Sequence, residues 1–221
     1  MHLRDARGLP TADLKIGREV LNSIQAVCPA IVQLSTGVGL EVPFEERERL
    51  VELRPAMATL NPCTMSFGSG AFRNPPAGVQ RLASRMRELG VKPELEIYDS
   101  GHLDVCMDLL RQELLVEPLQ FSIVLGVRGG MSATAENLLH MIRRLAPGAV
   151  WQAIAIGRQN LSLTTVAVAL GGNACTGLED VLYIRKGEPA DNRPLVSRLV
   201  RIVEAQGSLV ASVEDARKQL L

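Results

Sequence analysis

Three histidines occur in 221 residues, and one of them, His2, stands in the short stub Met1–Leu3. A neutral imidazole at a strand tip can ligate a metal or act as a general base. A solvated terminal histidine is the plainer alternative. Far along the chain, Glu179 and Asp180 follow an apolar run in Gly177-Leu178-Glu179-Asp180. Adjacent acids there can divide the work, one on a metal and one on a proton or a cation. Helix capping by Asp180, or a solvated loop, would need neither role. Glu96 shares one face of an alternating run with Glu94 and Tyr98. A carboxylate facing a barrel interior is costly unless paired or ligand-bound. Glu96 therefore serves a site if that face points inward, and a structural ion pair if it packs under helices.

Val127-Arg128-Gly129-Gly130-Met131-Ser132 links a strand to a helix. Its glycines could bring backbone close to a phosphate, a carboxylate or a pantetheine arm, or could make an ordinary turn. Arg158 offers a cation after the next strand, or is a surface arginine. His102 opens a helix near the same face. His140 reads as a buried or half-buried histidine with its bonds satisfied. Cys175 lacks a neighbouring histidine to activate it. No P-loop, Rossmann fingerprint, GxSxG or HExxH is present.

The elements that must position these residues alternate. Strands are expected over Ala30–Thr36, Met57–Asn61, Glu94–Asp99, Phe121–Val127, Val150–Gly157 and Ala174–Leu178. Several are continuous apolar runs, as in parallel strands buried on both faces. Amphipathic helices are expected over Leu14–Val27, Val79–Leu89, Ala133–Leu145 and Leu195–Ala205. Polar residues end almost every strand, among them Ser35, Thr59, Asn61 and Glu179. An open sheet gathers ligand groups at one switch point, whereas a barrel gathers them from many strand ends. The expectation is an α/β (β/α)8 TIM-type barrel. Six strands and a stub fall short of eight, so the first β-strand/α-helix unit reads as lacking. Residues 1–221 read as a single barrel domain, incomplete at its N-terminus.

Composition excludes several classes. Lys+Arg and Asp+Glu both number 24, and aromatics are 3%. No net field or stacking surface favours nucleic acid. No charged N-terminus with an apolar signal core, and no apolar run of about 20 residues, suggests export or a membrane span. Cys28, Cys63, Cys106 and Cys175 form no CxxC pair. Reduced thiols in the cytoplasm are expected.

Taken in order, Gln33–Gly37, Met57–Asn61, Pro93–Gly101, Val124–Met131, Ile156–Arg158 and Gly177–Asp180 resemble the β-keto acid cleavage enzyme family, over nearly the whole chain. The resemblance implies a zinc-dependent barrel that condenses a β-keto acid with acetyl-CoA and releases acetoacetate and a new acyl-CoA. It implies a homo-oligomer, while the balanced charge and the short apolar runs leave no nucleic-acid or membrane partner expected. By the same resemblance, His2 and Glu179 match metal ligands. Asp180 would handle a proton or orient substrate, while Ser35, Thr59 and Glu96 would position it. Arg158, Gly129 and Gly130 are weaker matches for substrate or CoA contacts. The sequence departs from the family pattern at several points. The first histidine of the family's metal pair would fall two residues before His2, ahead of Met1. Cys175 stands where the family has arginine, Asn173 where it has histidine, and Arg128 where it has proline. Two alternatives follow from those departures or from the bare barrel. One is a non-catalytic acyl-CoA-binding homologue, and the other a metal-dependent aldolase-type lyase.

Overall fold

A computed structural model describes residues 1–221. Helix α1 (Leu14–Val27) starts at Asp13, whose carboxylate accepts the Lys15 and Ile16 N–H groups that the first helical turn leaves free. There follow β1 (Gln33–Leu34), the short α2 (Phe44–Arg47) with a tighter turn to Leu53, and β2 (Met57–Leu60). A hairpin of β3 (Met65–Phe67) and β4 (Gly70–Phe72) rises after β2. Then helices and strands alternate: α3 (Pro76–Leu89), β5 (Lys92–Ile97), α4 (Ser100–Arg111), β6 (Gln120–Leu125), α5 (Ala135–Ile142), β7 (Val150–Ala155), α6 (Asn160–Ala169) and β8 (Asn173–Ala174). A second hairpin, β9 (Tyr183–Arg185) with β10 (Glu188–Pro189), precedes α7 (Asn192–Ala205) and α8 (Val213–Leu220).

The main sheet has six parallel strands in the order β1-β2-β5-β6-β7-β8. Each strand lies beside its predecessor, so the order never reverses and no switch-point crevice forms. The stub continues the ladder beyond β1, because the Met1 nitrogen donates to the Gln33 carbonyl at 2.7 Å and the Ser35 N–H donates to the Met1 carbonyl at 2.9 Å. Parallel neighbours are spaced about 4.8 Å apart, so β1 and β8 would be roughly 24 Å apart in a flat sheet. Yet His2, on the stub, touches Glu179, after β8, at 2.5 Å. The sheet is therefore curled into part of a barrel, which agrees with the expected fold class as far as six strands carry it.

Alternation decides which residues face in. Leu95, Ile97, Phe121, Ile123, Leu125, Ala153 and Ala155 join Leu82, Met86 and Leu103 in the core between sheet and helices. Their neighbours Glu94, Glu96, Ser122 and Gln152 therefore point into the curl.

Most strands fall a residue or two short of their expected ends, and two are far shorter. The last stops at Ala174 rather than Leu178, because the chain turns at Gly177, whose carbonyl accepts the Asp180 and Val181 N–H groups. The first spans only Gln33–Leu34, and Thr36 spends its N–H and hydroxyl on Thr59 instead of a longer ladder. Helix α6 is apolar around its circumference, so it carries no periodicity to read.

Candidate active site

The C-terminal ends of the strands surround a cavity of about 510 Å³. His2, Ser35, Thr59, Glu96, Glu179 and Asp180 all line it. Their grouping follows from the curl, since the residues are spread over the stub, β1, β2, β5 and the turn after β8.

His2 Nε2 and Glu179 Oε1 face each other at 2.5 Å across 177 residues of sequence. The hydrogen bond from His2 holds the Glu179 carboxyl below the usual carboxylate range, against the opposing effect of burial. Beside it, Asp180 is buried and lifted to about 7, first by loss of solvent and then by the Glu179 charge. The Cys175 thiol donates to Asp180 Oδ2 at 3.6 Å. Burial and the surrounding carboxylates raise that thiol well above its ordinary range, so it is a poor nucleophile.

Glu96 reaches solvent only through the cavity. Its Oε2 accepts from the Tyr98 hydroxyl at 3.0 Å. Burial, together with the charges of Glu94 and Glu179, pushes it up to about 8. Three acids thus share one chamber with different affinities for a proton, an arrangement suited to moving one.

Ser35 and Thr59 are buried and tightly placed. The Ser35 hydroxyl accepts the Gly37 N–H at 3.1 Å, and Thr59 Oγ1 accepts the Thr36 N–H at 2.7 Å. Between them lies a residue that the sequence reading had not singled out for the site. Asn61 is 4% exposed, yet neither its amide nitrogen nor its oxygen has a partner. A Cβ built on Gly37, which lines a smaller adjoining pocket, would lie 3.7 Å from the Asn61 nitrogen. Its amide lies beside Glu96, whose proton affinity it lowers. Its place at the end of Met57–Asn61 was the available signal.

Other candidates lie elsewhere. Gly129 has φ +109°, and a Cβ there would sit 2.0 Å from the Ser66 carbonyl oxygen. A Cβ on Gly130 would approach the Tyr98 carbonyl to 3.0 Å. These glycines let the β6–α5 loop pass under the β3–β4 hairpin, and neither lines the cavity. Arg158 is exposed in the turn before α6 and also lies outside the lining. His102 is 9% exposed and its Nδ1 accepts the Tyr98 N–H at 3.3 Å, a structural bond. His140 is exposed on α5, not buried, because it falls on the outer side of that helix opposite Leu138 and Met141.

An imidazole nitrogen and a carboxylate oxygen form a donor pair that zinc accepts. Their 2.5 Å approach, at a cavity rim, fits part of such a shell. No cluster of three or more His, Cys, Asp or Glu has metal-holding geometry. The pair is one protein donor short of the three common in catalytic zinc centres.

The family model described as beta-keto acid cleavage enzyme matches residues 1–221. A 3-keto-5-aminohexanoate cleavage enzyme from Fusobacterium nucleatum is 35% identical, covering 100% of this chain and 81% of its own. A 3-oxoadipate:acetyl-CoA acetyltransferase from Cupriavidus necator is 33% identical, with coverage of 100% and 79%. A 3-dehydrocarnitine:acetyl-CoA trimethylamine transferase from Rhizobium meliloti is 30% identical, with coverage of 99% and 81%. The solved apo structure of ObcA superposes with a TM-score of 0.78 at 19% identity, over 95% of this chain and 55% of that one, a likeness of fold. This chain belongs to the beta-keto acid cleavage enzyme family.

Proposed function

We propose that this protein cleaves a β-keto acid with acetyl-CoA, giving acetoacetate and a new acyl-CoA. The observation that carries the reading is the meeting of His2 and Glu179 above Asp180 and Glu96 in one cavity. The names of the relatives support it, because several pair a β-keto acid with acetyl-CoA. His2 and Glu179 are the protein's share of a zinc site. Bound there, zinc would polarise the keto oxygen as a Lewis acid. Asp180, with a proton affinity near neutrality, takes or returns the proton beside the reacting carbon. Ser35 and Thr59 offer hydroxyl groups to orient substrate oxygens. Glu96 supplies a second proton-holding carboxyl, kept in place by Tyr98.

On the same reading the protein is cytoplasmic and acts as a homo-oligomer, which light scattering on the purified protein would reveal. No helix is long and apolar enough to cross a membrane.

A panel of β-keto acids incubated with and without acetyl-CoA tests the reaction. Mass spectrometry is expected to find acetoacetate and a new acyl-CoA only when acetyl-CoA and zinc are both present. Turnover without acetyl-CoA would instead indicate an aldolase-type lyase. A second reading, a non-catalytic acyl-CoA-binding homologue, is favoured by Cys175, a neutral thiol against Asp180 where a cation could have stood. Acyl-CoA binding with no turnover of any panel member would establish it.

A further inference from the structure

The lining of the large cavity is unbalanced in charge. Four carboxyl side chains face it: Glu94, Glu96, Glu179 and Asp180. Among the lining residues there is a single lysine or arginine, Arg128. A β-keto acid is an anion, and such a chamber repels it unless a fixed cation receives the carboxylate. Arg128 is exposed at the mouth, and its guanidinium makes neither an ion pair nor a side-chain hydrogen bond. Its backbone is held firmly. The Arg128 carbonyl accepts the Gly68 N–H at 3.0 Å, and the next residue, Gly129, is pressed against Ser66 of the hairpin. The loop therefore fixes where the side chain starts while leaving its charge free. A guanidinium matches a carboxylate with two parallel donors, which a point charge cannot do.

We propose that Arg128 binds the carboxylate of the β-keto acid and makes the site selective for the anion over the neutral ketone. This inference rests on reading the cavity as a β-keto acid site. It assigns the substrate's acid end to the β6–α5 loop and leaves the keto end for the His2–Glu179 rim.

The test is binding, not turnover. Acetoacetate and its neutral methyl ester are titrated by NMR against the wild type, Arg128→Gln and Arg128→Lys, with CoA as a third ligand. The wild type is expected to prefer acetoacetate over the ester by at least tenfold. Arg128→Gln should lose about tenfold for acetoacetate and less than twofold for the ester, and Arg128→Lys should recover part of the loss. Equal acetoacetate binding by the wild type and Arg128→Gln overturns the proposal alone. A loss confined to CoA also overturns it, because the arginine would then serve a phosphate. If the wild type binds no acetoacetate, the proposal falls together with the reading beneath it. Because Arg128 is exposed, the glutamine variant should keep the wild-type circular dichroism.

Discussion

Glu94 and Glu96 are two residues apart on one strand and face the same interior, yet they stand in opposite chemical surroundings. Glu94 is 3% exposed and accepts from Gln33, Ser122 and Gln152, one donor from each of three other strands. Gln152 also donates to the Ser122 hydroxyl at 2.7 Å, which closes the network. Glu96 accepts from the Tyr98 hydroxyl with the Asn61 amide as a weaker neighbour, and it faces the charges of Glu94 and Glu179. Burial raises both acids, but three donors oppose that effect at Glu94. A carboxylate ringed by donors is a tie between strands. A carboxylate with fewer donors, facing other charges, keeps its capacity for a proton or a ligand. The difference separates scaffold from site at a distance of one strand pleat.

Three measurements can break or sharpen that contrast. Glu94→Leu removes the acceptor shared by Gln33, Ser122 and Gln152 and should cost about 3 kcal/mol of unfolding free energy, read by chemical denaturation. If stability is unchanged, Glu94 is not the tie described. Glu96→Gln keeps the shape of the side chain but cannot exchange a proton, and turnover should fall about 100-fold, equal to roughly 2.7 kcal/mol of barrier. Normal turnover would remove Glu96 from the chemistry. The third measurement compares the stability of the wild type and Glu96→Gln in metal-free buffer across pH. The folded protein raises Glu96 from 4.5 to about 8. Ionising it in the folded state is therefore unfavourable. The wild type should lose stability relative to the variant as pH rises from about 4.5, and the full deficit should be present above pH 8. We expect a gap of about 2 kcal/mol, reduced from the bare shift because the cavity admits water. A gap that closes with rising pH would reverse the assignment.

Much of the fold was legible because the signals were local. Helix α1 begins and ends where its apolar spacing predicts, at Leu14 and Val27. The inward face of β5 followed from simple alternation once the packing side of Leu95 and Ile97 was known. Side-chain competition was less visible. Thr36 leaves the β1 ladder for Thr59, a choice made by a partner 23 residues away. The Gly129-Gly130 pair reads as either a ligand loop or an ordinary turn, and its glycines sit against a hairpin whose position no local pattern announces. Asn61 reads only as a polar strand end until its neighbour Glu96 is known. Arg128 gained meaning only from the charge census of the cavity.

The His2–Glu179 contact also bears on how the molecule comes to be assembled. It joins opposite edges of the curled sheet through a separation of 177 residues. Contacts between distant segments form slowly, because the whole intervening loop must first be ordered. The chemistry can therefore exist only after the rest of the chain has folded, and a half-finished fold is inert. Any ligand that grips both side chains acts as a clasp across the seam and stabilises the closed state by mass action. Occupancy of the rim and persistence of the curl are then two readings of a single equilibrium.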